Sequence, residues 1–227
     1  MTKTIEHFKS GGHSVPLEIL MPSGGAVRCA AVLLLHGSFG LQPPYDADIA
    51  SFADALAARG IATAIPHYLE ATGTPPGAGV FEEIERLRPT WRQACSDALA
   101  VLAVDPRFDP AHLGLLGFSL GANLVLSLAM DPPSAAQPRC VVDFFGPTQG
   151  LESRWATLPP VLIVHGCDDT LVPPGESQRL VAQLEAAGKR KGRDYRFSLY
   201  EGQGHGFHGA ALATSREEAV GFLAQTL

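Results

Sequence analysis

The sequence predicts an α/β fold: a mostly parallel central sheet of about eight strands, with helices on both faces. Three observations point to it. Short aliphatic, β-branched runs alternate with stretches whose apolar residues recur every three or four positions. "CAAVLLL" (29–35) is apolar throughout, as a strand buried on both faces must be. Strand and helix signals follow one another with no internal repeat or linker, which implies βαβ crossovers. Residues 1–227 therefore read as a single domain.

The elements follow in order. "TIEHF" (4–8) and "VPLEIL" (15–20) flank "KSGG" and read as a hairpin. After strand 29–35, residues 46–58 read as a helix that "RG" closes. "IATAIP" (61–66) is the next strand. "ATGTPPGAG" (71–79) is a loop at that strand's C-terminal side, the edge where open α/β sheets bind ligands. Residues 91–103 are helical, with Trp91, Ala94, Ala98, Leu99 and Leu102 on one face. "HLGLLG" is a strand, 119–130 a helix, and "CVVDFFG" and "VLIVHG" are strands. Residues 176–187 are a helix, "RFSLY" a strand and 212–225 the last helix.

Composition narrows the function classes. The net charge of −6 argues against a nucleic-acid partner, which would need clustered Lys and Arg. The one basic cluster, "KRKGRDYR" (189–196), reads as a solvated loop. Leu113 to Met130 carries no charge, but its glycines crowd the first half and its helical part is short. A buried strand and helix account for it better than a membrane span. The four cysteines form no CxxC pair and have no zinc-ligand spacing, so they read as reduced thiols. The polar N-terminus lacks an apolar targeting core. The expectation is a cytoplasmic protein, a monomer or small homo-oligomer.

"GFSLG" (117–121) is a G-x-S-x-G between a strand and a helix, the context that gives this motif meaning. Glycines at 117 and 121 keep Cβ atoms out of a sharp turn that exposes Ser119. The alternative is a glycine-lined turn with an accidental serine. No GxGxxG or GK[ST] pattern occurs, so phosphate cradling is disfavoured. A serine nucleophile needs a base, best supplied by histidine. His205, in the glycine-rich "EGQGHGF" after the last strand, is the best placed; His208 is its rival. His36 and His165 each end a strand and read as structural. The histidine needs a carboxylate. Asp168 and Asp169 both follow "VLIVHG", and Asp143 is a third option. Acyl transfer also needs two N–H donors for an oxyanion. Leu120 supplies one; Ser38, in "HGSFG", is the choice for the other, with Phe39 next.

These stretches together resemble the dienelactone hydrolase family of the α/β-hydrolase superfamily. "LLLHGSFGL", "DPRFDPAHLGLLGFSLGANL", "VHGCDDTLVP" and "YEGQGHGFHG" carry the resemblance along nearly the whole chain. The family's H-G-x-x-D-x-x-V-P pattern falls on His165, Gly166, Asp169, Val172 and Pro173, which favours Asp169 over Asp168. Its G-H-G-F falls on Gly204 to Phe207 and favours His205. Where the family's namesakes carry a nucleophilic cysteine, this chain has Ser119; where they carry an oxyanion-loop glutamate, it has Gly37.

The resemblance implies a serine hydrolase acting on small carboxylic esters or lactones, with no metal, no organic cofactor and no large lid. Residues 67–90 are expected to form a pocket-wall loop carrying His67, Tyr68 and Phe81, with Phe39 and Trp91 reaching the pocket. An acyltransferase or peptidase with the same residues is the nearest alternative. A non-catalytic ligand-binding protein is the alternative from another class.

Overall fold

The computed structural model describes residues 1–24 and 28–227. Eight strands are described: β1 (Thr2–Ser10), β2 (His13–Met21), β3 (Cys29–Leu35), β4 (Ala62–Pro66), β5 (Phe108–Phe118), β6 (Cys140–Phe144), β7 (Val161–Gly166) and β8 (Tyr195–Tyr200). They form one sheet in the order β1-β2-β4-β3-β5-β6-β7-β8. The β1–β2 and β2–β4 pairs are antiparallel, and every later pair is parallel. The expected α/β architecture is thus the observed one.

Among the described residues five α-helices cover it: α1 (Tyr45–Ala57), α2 (Val80–Val104), α3 (Leu120–Met130), α4 (Gly175–Ala186) and α5 (Gly209–Thr226). Strand residues alternate between the two faces. In β3, Ala31, Leu33 and Leu35 join a core with residues of α2, α3 and α4. Val32 and Leu34 join the opposite core with residues of α1 and α5. Helix α1 shows how patterning drives this layering. Ile49, Phe52, Ala53 and Leu56 fall on one face, and all are buried. Burying a Phe side chain contributes about 1.5–3 kcal/mol, so Phe52 alone anchors this helix substantially.

The segment before Trp91 departs from expectation. It is not a loop. Residues Tyr68–Thr72 form a 3-10 turn, and α2 starts at Val80, eleven positions before the expected start. Pro89 lies inside that helix, where a proline is normally a stop signal. The apolar face of Trp91, Ala94, Cys95, Ala98, Leu99 and Leu102 is buried and carries the helix through the break. Residues 73–79 remain irregular, as expected of this Gly- and Pro-rich stretch. Among the described residues, no helix is long and apolar enough to cross a membrane.

Candidate active site

Four strand ends converge on one edge of the sheet. Ser119 follows β5, Asp169 follows β7, His205 follows β8, and "HGSFG" (36–40) follows β3. This is the carboxyl edge of the parallel strands, where such sheets bind ligands.

Ser119 sits on a strained turn, with φ 54° and ψ −117°. A non-glycine residue rarely adopts a positive φ, and its persistence here requires over-determined surroundings. The flanking glycines provide them. A Cβ at Gly117 would fall on the backbone of Gly121, and one at Gly121 on the carbonyls of Leu35 and His36. The turn is also bolted to the sheet: Ser119 N–H donates to Phe144 O at 2.9 Å. One strand further on, Phe145 N–H donates to Val164 O at 2.8 Å. The sheet ladder therefore continues past the strand ends into the site.

A hydrogen-bonded chain leads from the serine. His205 Nε2 accepts from Ser119 Oγ at 2.9 Å, and His205 Nδ1 donates to Asp169 Oδ2 at 2.8 Å. The carboxyl of Asp169 is buried and engaged on both oxygens. Its Oδ1 accepts the N–H groups of Leu171 and Val172, each at 2.9 Å. Its Oδ2 also lies 3.2 Å from His165 Nε2. His165 itself donates to Val172 O at 2.8 Å and accepts from Ser177 Oγ at 2.6 Å. Burial lowers its basicity, so it holds the turn as a neutral ring. The rivals lie elsewhere. Asp168 is exposed, its N–H donating to Gln203 O. His208 is also exposed, its N–H donating to Gln203 Oε1. Asp143 is buried behind the turn and accepts from Gly146 N–H.

Leu120 and Ser38 are the residues expected to donate to an oxyanion. Leu120 and Ser38 are both buried beside Ser119's turn. Among the described residues, no group accepts a hydrogen bond from the N–H of Leu120, Ser38 or Phe39. Leu120 is the first residue of α3, whose N-terminal dipole favours developing negative charge there. The 37–40 loop is propped by residues 73–79. Gly77 N–H donates to Ser38 O at 2.9 Å, and Gln42 Nε2 donates to Pro76 O at 2.9 Å. A Cβ at Gly37 would lie 3.4 Å from that of Ser119, so this loop packs directly against the serine.

A cleft open to solvent leads to Ser119. Of the five expected pocket residues, Phe39 and Phe81 line it, their rings 6.0 Å apart and edge to face. His67, Tyr68 and Trp91 do not, because His67 precedes and Tyr68 opens a 3-10 turn, and Trp91 lies on the buried face of α2. His67 bridges Glu18 (3.0 Å) and Glu70 (3.1 Å). Tyr68 is fully buried, stacks on His36 with ring centroids 4.4 Å apart, and donates to His36 O at 2.8 Å. It supports the 36–40 loop from beneath. Burial pushes His36 down to about 4, which keeps this ring neutral. Trp91 is buried and donates to Thr72 Oγ1 at 2.7 Å.

Sequence reasoning missed most of the cleft: Tyr45, Phe52, Phe118, Phe145, Phe207 and Leu171. A usable signal was present. Phe118, Phe145 and Phe207 each lie next to a strand end or a motif residue already singled out. Among the described residues, no three His, Cys, Asp or Glu side chains cluster as metal ligands.

A sequence profile of the dienelactone hydrolase family matches residues 19–221. The chain belongs to that family. A protein of Klebsiella pneumoniae subsp. pneumoniae assigned as a dienelactone hydrolase has the same fold, with TM-score 0.82 and 18% identity, over 99% of this chain and 98% of that one. Thermogutta terrifontis esterase 2 superposes with TM-score 0.74 and 19% identity, over 98% and 94% of the two chains. A puromycin-hydrolyzing peptidase of Mycobacterium tuberculosis gives TM-score 0.79 and 20% identity, over 99% of this chain but 39% of that one. A search of curated proteins found no match. This family member is of a hydrolase lineage whose fold neighbours include esterases and peptidases.

Proposed function

We propose that this protein hydrolyses small, uncharged carboxylic esters or lactones through an acyl-enzyme on Ser119. The observation that carries the reading is His205, hydrogen-bonded at once to Ser119 Oγ and Asp169 Oδ2. Ser119 Oγ attacks the carbonyl carbon as its proton passes to His205 Nε2. Asp169 holds the ring in the required tautomer and stabilises the imidazolium. The N–H groups of Leu120 and Ser38 receive the oxyanion. As the tetrahedral adduct collapses, His205 gives its proton to the leaving alkoxide. The imidazole then takes a proton from water, whose oxygen attacks the acyl carbon; as this second adduct collapses, His205 returns the proton to Ser119 Oγ and the acid leaves.

The cleft argues for the substrate class. Phe39, Phe81, Tyr45, Phe118, Phe145 and Phe207 surround it, and among the described residues no Lys or Arg lines it. An anionic acyl group would find no counter-charge there. Asp48, on the cleft wall, would repel it further; burial raises this carboxyl, and His208 and Arg216 partly offset it. Apolar or aryl acyl groups instead gain about 25 cal/mol for each Å² removed from water.

The test is Ser119→Ala against a p-nitrophenyl ester. Turnover should fall by about three orders of magnitude or more, with the fold retained. Unchanged hydrolysis by the variant would sink the reading. Acyl transfer to an added alcohol or amine in place of water would redirect it to an acyltransferase.

A further inference from the structure

Asp143 is buried in β6 and takes no part in the Ser119–His205–Asp169 chain. Its position is nevertheless unusual. Its Oδ1 accepts the N–H of Gly146 at 2.8 Å. Its Oδ2 is buried and has no hydrogen-bond partner among the described residues. A carboxyl in this state is costly and calls for an explanation. Burial pushes it up to about 7, and no charged group among the described residues offsets that shift.

The segment that Asp143 closes explains it. Between Asp143 and Gly146 lie Phe144 and Phe145. The carbonyl of Phe144 accepts the N–H of Ser119. Phe145 has φ 44°, which is strained for an aromatic residue. Its ring lies against His205, with centroids 4.7 Å apart. One short turn therefore touches the serine's backbone on one side and the histidine's ring on the other. A left-handed Phe145 does not persist unaided. The Asp143–Gly146 bond closes the turn around it. Asn123 Nδ2 pins the following residues by donating to Pro147 O (2.8 Å) and Gln149 O (3.1 Å). The fit is tight, because a Cβ on Gly146 would lie 2.6 Å from Asp143 Oδ1 and 2.7 Å from Ala122 Cβ.

We propose that Asp143 is a positioning residue: through the Gly146 N–H it clamps the 144–146 turn, which fixes the Ser119 backbone and seats Phe145 against His205. For its kinetic consequence, the role rests on the hydrolase reading above. It requires an acceptor at Oδ1 and not a negative charge. Asparagine therefore substitutes for it, and leucine, of similar shape but without an acceptor, does not.

The experiment compares wild type, Asp143→Asn and Asp143→Leu by two readouts. The first is NMR of the carbon-bound imidazole protons of His205, which the ring current of Phe145 displaces. Asp143→Asn should keep the wild-type shifts, and Asp143→Leu should lose them. The second is p-nitrophenyl ester turnover per fluorophosphonate-titrated site. Here Asp143→Leu should lower kcat roughly 10- to 100-fold, the scale expected of misplaced reacting groups. Asp143→Asn should stay within about threefold, and KM should change little in either. A folded Asp143→Leu protein with wild-type His205 resonances and kcat would overturn the proposal. So would an Asp143→Asn protein as impaired as the leucine variant. Should Asp143→Leu fail to fold, Phe145→Gly replaces it: glycine accepts the left-handed backbone but removes the ring. Wild-type kcat there would equally overturn the role. If the wild type shows no Ser119-dependent turnover, the hydrolase reading fails, and the NMR comparison still decides the clamp.

Discussion

Two neighbouring strands, β6 and β7, each carry a buried aspartate to the same edge of the sheet, and they use it in opposite ways. Asp169, after β7, has donors on both oxygens: two backbone N–H groups on one, His205 and the nearby His165 on the other. Asp143, in β6, has one donor on one oxygen and none described on the other. Burial is nearly equal, at 4% and 0% exposure. Depth therefore does not decide the role. The donor set does. A carboxylate facing a histidine that becomes cationic in the proposed mechanism can act as a charge. A carboxyl facing a single N–H, pushed up to about 7, acts as a hydrogen-bond acceptor that holds a proton through the acidic range.

The sharpest way to break this contrast is to remove the charge from each aspartate while keeping its shape. Asp169→Asn should cost about 10³- to 10⁴-fold in kcat, because the amide imposes the wrong tautomer on His205. The exposed Asp168→Asn should stay within about twofold; steady-state ester hydrolysis checks both. The reverse ranking would reassign the acid.

A second measurement addresses stability. The folded-state value of Asp143, about 7, lies above its ordinary 3.8. Its contribution is fully present below about pH 4 and is lost as pH rises toward 7, with a total on the order of a few kcal/mol. Buried His36, held near 4, acts in the opposite sense: its contribution is lost as pH falls below the ordinary histidine value toward 4. The wild-type profile mixes the two, and subtracting the Asp143→Asn profile isolates the aspartate. Urea unfolding at pH 5 and pH 8 should show wild type losing stability relative to Asp143→Asn. Parallel curves would mean that Asp143 does not titrate in this range.

The smallest effect expected is on the cleft wall, away from both aspartates. Phe81 is 40% exposed, and Phe81→Ala should raise KM for an aryl ester a few-fold with kcat unchanged. An equal fall in kcat would place Phe81 in contact with the reacting atoms.

The legibility of the site follows the same physics. Ser119, Asp169 and His205 could be found because glycine and short polar residues at strand ends leave local signatures: two glycines to clear a turn, an aspartate after a buried strand, a glycine-rich loop around a histidine. The resemblance was still needed to separate Asp169 from Asp168, since both occupy the same turn and only one has Leu171 and Val172 N–H groups aimed at it. The strands were legible because burial on both faces leaves little choice of residue. The wall was not. Pro89 is locally a helix breaker, and only the tertiary burial of Trp91 and its neighbours overrides it. His67 and Tyr68 look like pocket residues by position, but a salt bridge to Glu18 and a stack on His36 turn them away. Phe145 carries no local mark of its left-handed backbone, which depends on an aspartate two positions before it.

The ladder that runs through Ser119 and Phe145 makes the sheet a ruler for the chemistry. Neighbouring strands repeat at about 4.8 Å, so the serine on β5 and the strand that launches His205 stand three repeats apart, about 14 Å. The loops after β7 and β8 exist to close that gap. A bulge introduced into β6 would alter the interval between Ser119 and His205 without replacing either side chain. The tolerances of this site are thus partly written in β6, a strand that supplies none of Ser119, His205 and Asp169.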